Sequence, residues 1–547
     1  MIRRISLLAV VAIVLGVAPS TARASTPAIT TTSPRHGPVG TKVFIKGSGF
    51  TGTTAVAFNG TAATFTVRSD VSIRTYVPGG ATTGPVTVTG DSTAQSPAPF
   101  VVQPNIVLIL TDDQRYDQLD HMPIVQSELI GKGTDFTNGF VVDPLCCPSR
   151  ATILTGKYSH GTDVYSNIYP HGSFRTFVTD NHEDRSTIAT WLQKIGYDTG
   201  LVGKYLNGYS VKKASYVSPG WNTWDALALN AGGGGEGTGG YYNYDMSIQG
   251  VDTQFGSDPS DYSTDVLSSQ ATDFIRSAPA SQPLFLYFAP RAPHGPATPP
   301  DRYADALPDL PPFRPAAYNE DDVTDKPAYV QAVAPWSDTT QATEDAFVRN
   351  EYQSLLAVDD AVGNIIQALR DTGRLEDTLI VFTSDNGLEL GEHRWKAKKV
   401  PYEESIRVPI IARYDALMHG TASTDPSLVL NLDLAPTFAA AGGATATGVE
   451  GMNMMPLLDG SASSWRSDFL VEHMDPRVVQ VPAYCAVRNS DEIYIKYQDG
   501  FEELYDLRTD PYELTNVAND PLYELDKAAL YQRLLELCQP PPPGYTP

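Results

Sequence analysis

The sequence predicts an α/β protein: a mostly parallel sheet flanked by helices, with a small all-β module before it and a smaller α+β piece after it. Three changes of texture carry that reading. From Thr26 to Val102, short Val- and Thr-rich runs are separated by glycine and proline turns; from Pro104, apolar runs alternate with helical patterns; after about Ser464 a strand and a closing helix remain. The expected divisions are residues 1–24, 26–102, 104–463 and 464–547.

The first division reads as an export signal. Arg3 and Arg4 open it, Leu7 to Val17 form an apolar run too short for a bilayer span, and Ala22-Arg23-Ala24 offers a small-x-small cleavage pattern. A secreted or extracellular protein follows, with cell-surface association compatible and no membrane insertion after cleavage. Of 547 residues, 39 are Lys or Arg and 63 Asp or Glu, a net charge of −24 that repels nucleic acid and anionic lipid at long range. Only four cysteines occur, Cys146, Cys147, Cys485 and Cys538, with no C-x-x-C pair to build a structural zinc site. Export makes Cys485 and Cys538 the candidate disulfide; two buried thiols are the alternative.

The second division shows β-prone runs at Lys42–Ile45 and Val86–Thr89 and turns at Gly47-Ser48-Gly49 and Pro78-Gly79-Gly80. The stretch Ser33 to Phe58 resembles the start of an immunoglobulin-like TIG module. It holds no catalytic chemistry, so a spacer or surface attachment is the expected role.

In the third division the expected strands are Asn105–Leu110, Thr199–Val202, Leu284–Phe288, Leu379–Phe382 and Val408–Ala412. The expected helices are Thr187–Ile195, Ser263–Arg276 and Glu344–Asp371. In the fourth, Glu492–Tyr497 reads as a strand and Leu522–Leu537 as a helix.

Polar groups stand where four of these strands end, which is where open α/β sheets bind ligands. Asn105–Leu110 runs into Asp112-Asp113, Leu379–Phe382 into Asp385-Asn386-Gly387, Leu284–Phe288 leads to His294, and Thr199–Val202 to Lys204. Three carboxylates and an amide oxygen are hard ligands that suit Ca²⁺ or Mg²⁺. Adjacent ionised Asp112 and Asp113 would repel, and a divalent cation relieves that.

The segment Pro144 to Gly156 is sharper. Pro148 suits the first turn of a helix, which puts Cys146 at a helix N-terminus, a place that favours anions and activates a thiol. Arg150, one turn on, can grip an oxyanion through two nitrogens. Spacing excludes a cysteine-phosphatase loop, because Thr152 and Ile153 stand where its arginine would be.

Cys146-x-Pro148-Ser149-Arg150, followed by Thr155-Gly156, resembles the signature of type I sulfatases. Gly196 to Lys204, Asp385-Asn386-Gly387, Lys398 with Tyr402-Glu403 and Arg407-Val408-Pro409, and Tyr505 to Pro511 resemble further motifs of that family, so the likeness runs from Pro104 to about Cys538. It implies an alkaline-phosphatase-like mixed sheet and a nucleophile made by a formylglycine-generating enzyme from Cys146. It also implies Ca²⁺, with Mg²⁺ second, on Asp112, Asp113, Asp385, Asn386 and the modified Cys146. Arg150, Lys204, His294 and Lys398 would surround the sulfate, with Asp385 taking a proton and His294 meeting the leaving oxygen. One departure stands out: many relatives carry a histidine where this chain has Leu206. Gly203 to Asn207, Cys146-Cys147, Gly156-Lys157-Tyr158, Gly220-Trp221 and Tyr241 to Tyr244 resemble the N-acetylglucosamine-6-sulfatase branch.

The resemblance therefore implies sulfate-ester hydrolysis on 6-O-sulfated N-acetylglucosamine or related glycans, as in glycosaminoglycan degradation. His160, Asn167 and His393 are candidates for the rim of the substrate pocket. Trp221, Trp224 and Tyr241 to Tyr244 could line a sugar site or pack in the core. The rival readings are a phosphonate or phosphate diester hydrolase on the same scaffold, and a non-catalytic surface protein that binds sugar.

Overall fold

The computed structural model describes residues 26–228, 240–474 and 481–547, so the segment read as an export signal lies outside the described residues. Numbering the strands of the main sheet along the chain, β1 is Asn105–Thr111, β2 Thr134–Phe140, β3 Asp198–Gly203, β4 Thr223–Leu227 and β5 Asp245–Ile248. They are followed by β6 Val251–Gln254, β7 Leu284–Ala289, β8 Thr378–Ser384, β9 Ile410–Arg413 and β10 Ser423–Leu430. Their order in space is β6-β5-β4-β3-β7-β1-β8-β9-β2-β10. The central run β4-β3-β7-β1-β8 is parallel, while β9 pairs antiparallel with both β8 and β2.

The central strands are unbroken apolar runs because helices cover both faces. Every residue of β1 and β8 is buried. On one face Ile106, Leu108 and Leu110 pack with α1 (Cys146–Thr155), α2 (Ile188–Lys194) and a later helix over Leu434–Gly442. On the other, Val107 and Ile109 pack with α3 (Ser263–Ser277) and α4 (Asp338–Asp371). The helix expected over Glu344–Asp371 starts earlier, at Asp338, because Ser337 caps it by accepting the Thr340 N–H at 3.2 Å. Its first turns are polar and carry no apolar stripe. The strand expected from Val408 begins at Ile410, after Pro409, which has no N–H for a ladder.

The all-β module folds as two four-stranded sheets over Val43, Ile45, Phe58, Ile73 and Val88. It seats on the amino-terminal side of the main sheet. Gly80 N–H donates to Asp377 Oδ1 at 3.1 Å, just before β8, and Gln103 Nε2 donates to Gly442 O at 3.2 Å, just before β1. The carboxy-terminal piece is an antiparallel sheet of Asp468–His473, Tyr484–Asn489, Glu492–Tyr497 and Glu502–Asp506. The closing helix Glu524–Leu537 packs on it, and the Cys485–Cys538 disulfide expected from sequence ties that helix's end to the sheet.

Leu108 lies at the centre of β1, and no methyl-sized neighbour can move to fill its place in a core this tightly packed. Leu108→Ala is expected to cost about 2–5 kcal/mol of stability, read as a lower urea midpoint at unchanged slope.

Candidate active site at the carboxyl ends of the central strands

The adjacent strands β3, β7, β1 and β8 deliver Lys204, His294, Asp112 with Asp113, and Asp385 with Asn386 to one place. Asp112 N–H donates to Ala292 O, stitching the loop after β1 to the loop that carries His294. Asp113 sits at φ 69°, a left-handed conformation that costs an L-residue of order 1 kcal/mol. Its N–H is held by Asp385 Oδ1 at 3.1 Å. The turn therefore keeps both aspartates facing inward.

Helix α1 brings the seventh and eighth groups, Cys146 and Arg150. Cys146 is its first residue and Pro148 lies in its first turn, as expected. The Cys146 thiol is 3.6 Å from Asp112 Oδ1 and 3.8 Å from Asp113 Oδ1. Lys398 reaches in from the loop after the Glu389–Leu390 and Lys396–Ala397 ribbon, pairing with Asp113 and standing 2.7 Å from the sulfur. Lys204 Nζ lies 2.6 Å from Asp112 Oδ2.

Arg150 corrects the expectation of a two-nitrogen grip on an oxyanion. Its Nε donates to Asp385 Oδ2 at 2.7 Å and its Nη1 to Lys204 O at 2.9 Å. Only Nη2 is left, buried, without a hydrogen-bond partner and 4.0 Å from Asp112 Oδ1. The chain uses this arginine first to brace the carboxylates.

Charge and burial act against each other here. Burial alone would raise the Asp112 carboxyl, but Lys204, His294, Arg150 and Lys398 outweigh it and hold it well below the usual range. Asp113 is held down in the same way, chiefly by Lys398. Asp385 goes the other way, to about 6, because burial and the repulsion of Asp112 exceed the pull of Arg150 and Lys204. Burial also pushes the Cys146 thiol up to about 11 despite Lys204 and Lys398. The thiol expected to be activated at a helix start is thus kept protonated, since desolvation of the sulfur wins.

Asp112, Asp113, Cys146 and His294 place ligand atoms within 4.8 Å of one another, a spacing that could hold a metal ion. Asn386 adds a further donor. Its Nδ2 donates to Asp113 Oδ1 at 2.7 Å, while its buried Oδ1 has no hydrogen-bond partner. An unpaired buried amide oxygen beside carboxylates fits a hard cation.

The other candidates lie differently. Asn167 Oδ1 accepts the Cys147 N–H at 2.9 Å, so it caps α1 where Leu145 offers no side-chain cap. His160 is held 3.0 Å from Glu472 and 3.3 Å from Glu450, and His393 is buried with Nδ1 2.7 Å from Glu320. Neither histidine bonds to the central cluster among the described residues. Trp224, Tyr241 and Tyr244 are buried and Trp221 nearly so, which decides for packing over a sugar-lining role. Leu206, at the position of the relatives' histidine, is part of the apolar layer under α1.

Sequence reading missed Arg291, whose Nη2 is 3.1 Å from His294 Nδ1, and offered Tyr241 only as a sugar-site or core residue, whereas its hydroxyl donates to His294 O at 2.7 Å. Arg291 stands three residues from His294 and was available as a local signal; Tyr241 was not. Gly203 stands within the motifs read from the sequence, but its steric constraint shows only in the fold. It sits at φ 119°, and a Cβ there would lie 2.0 Å from Ala289 O.

A buried cysteine at a helix start, a cluster of carboxylates beside an unpartnered amide oxygen, and cations around them suit a hydrolase acting on esters of tetrahedral oxyanions. The comparisons give the family. The sulfatase family model matches residues 104–444, the N-sulphoglucosamine sulphohydrolase C-terminal model residues 391–540, and the IPT/TIG domain model residues 27–102. The chain belongs to the sulfatase family and is a sulfuric ester hydrolase. It is 33% identical over 482 residues to the N-acetylglucosamine-6-sulfatase of Capra hircus, covering 80% of this chain and 84% of that one. It is 33% identical over 382 residues to an extracellular sulfatase SULF-1 homologue of Drosophila melanogaster, covering 68% and 33%. Its fold matches a solved protein in complex with its substrate D-glucosamine-2-N,6-O-disulfate (TM-score 0.68, 24% identity, 80% and 98% covered). It also matches the phosphonate monoester hydrolase of Agrobacterium radiobacter (TM-score 0.63, 22% identity, 80% and 96% covered).

Gly203→Ala is expected to push the end of β3 away from β7 and carry Lys204 with it. Sulfate-ester turnover should fall about 100-fold while the far-ultraviolet circular dichroism stays native.

Proposed function

We propose that this sulfatase is exported and acts through a formylglycine made from Cys146 and a bound Ca²⁺, on 6-O-sulfated N-acetylglucosamine or related glycans. The observation that carries the reading is the meeting of Cys146 with Asp112 and Asp113 beside the unpartnered Asn386 Oδ1. Asp112, Asp113, Asp385 and Asn386 would hold the cation. Bound there, it supplies Lewis-acid polarisation, and the converted residue 146 supplies an oxygen nucleophile.

The remaining work belongs to this chain's own side chains. Lys204, Lys398 and Arg150 Nη2 neutralise charge that spreads over the transferring sulfuryl oxygens. The Asp385 carboxylate, braced by Arg150 Nε at 2.7 Å, takes the nucleophile's proton. His294 Nε2, 3.7 Å from Asp113 Oδ2, faces the centre and meets the leaving oxygen. Tyr241 fixes the backbone carbonyl of His294, and Arg291 Nη2 stands 3.1 Å from the imidazole Nδ1.

The substrate class rests on the N-acetylglucosamine-6-sulfatases that match most of the chain. Export is supported by the extracellular sulfatase homologue and by the amino-terminal sequence. No helix among the described residues is long and apolar enough to cross a membrane. A second reading, phosphonate or phosphate ester hydrolysis, is favoured only by the fold likeness to the phosphonate monoester hydrolase.

Mass spectrometry of the tryptic peptide Gly133–Arg150 from active protein is expected to show the aldehyde at residue 146; an unmodified thiol there would sink the mechanism. Cys146→Ala should lose on the order of 10³-fold or more in turnover with glycan binding kept. Chelation should abolish turnover and Ca²⁺ restore it better than Mg²⁺. In a substrate panel, faster turnover of a phosphate diester than of any sulfate ester would overturn the assignment.

A further inference from the structure

The all-β module takes no part in the chemistry. It abuts the amino-terminal ends of β1 and β8, and seven-residue strands at roughly 3.3 Å per residue put it about 20 Å from the catalytic cluster. Its charge is also unlike that of the remainder. In a chain of net charge −24, residues 26–102 carry Arg35, Lys42, Lys46, Arg68 and Arg74. Against these stand only Asp70 and Asp91.

Four of those cations fall on a single sheet, ordered Ala28–Ser33, Lys42–Ser48, Ser72–Tyr76, Phe65–Ser69, and these four strands contain no Asp or Glu. Strand alternation turns Val43, Ile45, Ile73 and Thr75 into the module's core. It leaves Lys42, Phe44, Lys46, Arg74 and Tyr76 on the outer face. Lys42 stands opposite Tyr76 and Phe44 opposite Arg74, so each exposed ring has a cation as its cross-strand neighbour. Phe44 is 36% and Tyr76 38% exposed. Asp70, in the adjoining turn, is occupied by the N–H groups of Gly49 and Thr51.

We propose that this outer face binds a sulfated polysaccharide, the polymer that carries the sulfate esters, and holds the enzyme on it. The proposal rests on the sulfatase reading above for the choice of polymer. Flat aromatic faces stack on the apolar faces of sugar rings, and guanidinium and ammonium groups between them pair with sulfates. Two rings on a flat sheet bury too little apolar area for a bilayer. The body's strong negative charge repels a long polyanion, so a compact basic patch is what lets the chain be held at all. Because the face lies at the opposite pole from Cys146, holding the polymer leaves the handling of a small ester untouched.

The test uses the full chain carrying Cys146→Ala, so that retention on immobilised dextran sulfate is measured without hydrolysis. Wild-type surface should bind in low salt, release in high salt and ignore unsulfated dextran. The variant Phe44→Ala/Arg74→Ala/Tyr76→Ala should bind about tenfold or more weakly. Lys42→Gln/Lys46→Gln, which removes two exposed charges and, with them, the Lys46 Nζ bond to Ser72 Oγ at 3.2 Å, keeps every core side chain of the module and should weaken binding in the same direction. With Cys146 restored, turnover of a small aryl sulfate should be the same for wild type and both surface variants. Unchanged retention by the Lys42/Lys46 variant, or equal retention of wild type on duplex DNA or phosphatidylserine vesicles, overturns the proposal. Failure to hydrolyse any sulfate ester would sink the sulfatase mechanism while leaving the retention result to be read by itself.

Discussion

The structure hangs on a charge balance among buried groups. Asp112, Asp113 and Asp385 are buried at the carboxyl ends of β1 and β8, and Lys204, Lys398 and Arg150 are brought to meet them. Breaking such a buried pair by removing one partner costs about 3–5 kcal/mol, because the charge left behind has neither solvent nor counter-ion. The sheet order satisfies this demand directly. With β3, β7, β1 and β8 as neighbours, the ammonium of Lys204 and the carboxylates of Asp112 and Asp385 come from strands at most three places apart. The left-handed turn at Asp113 persists because its N–H is fixed by Asp385 and its carboxylate by Lys398.

Cys146 is the group this balance serves. Helix α1 is buried along its whole length, so its start is set by packing on the sheet and by Asn167, not by amphipathicity. The same burial that makes the pocket selective for paired charge makes it hostile to a thiolate. Burial holds the Cys146 thiol up while Lys204, Lys398 and the two aspartates crowd it, an arrangement that suits an anionic ester, the substrate of a sulfuric ester hydrolase.

The molecule is also divided by pole. Chemistry occupies the carboxyl ends of the strands, and the basic all-β module occupies the opposite side, joined through Gly80, Gln103 and their partners. Nothing in the catalytic cluster depends on a residue of the module among the described residues. The carboxy-terminal sheet, by contrast, reaches toward the centre: Glu472 N–H donates to Val142 O, in the loop that leads to Cys146, and the same side chain takes both the backbone N–H and the ring of His160.

Much of this was legible along the chain because it is local. Unbroken apolar runs marked β1, β3, β7 and β8, since a strand covered on both faces has no polar side to show. The residues directly after those runs, Asp112, Asp113, Lys204, Asp385 and Asn386, then had to stand at one edge of the sheet. Cys146 at the start of a helix followed from Pro148, whose ring suits a first turn. Elements whose pattern is mostly polar, such as the first turns of α4, were not legible, because a cap rather than a stripe begins them.

By itself, then, the sequence determined the family, the strands and the polar groups that end them, since motif spacing and apolar runs act within a few residues. Tertiary structure decided what each group is free to do. Two nitrogens of Arg150 were claimed by Asp385 and by the backbone of Lys204, Asn167 became a helix cap, and of the aromatics left open between a sugar site and the core, Trp221, Trp224, Tyr241 and Tyr244 went into the core. Those outcomes depend on burial and on partners up to 235 positions away in the chain, and desolvation in that shared interior, not position along the sequence, sets their charge and their hydrogen bonds.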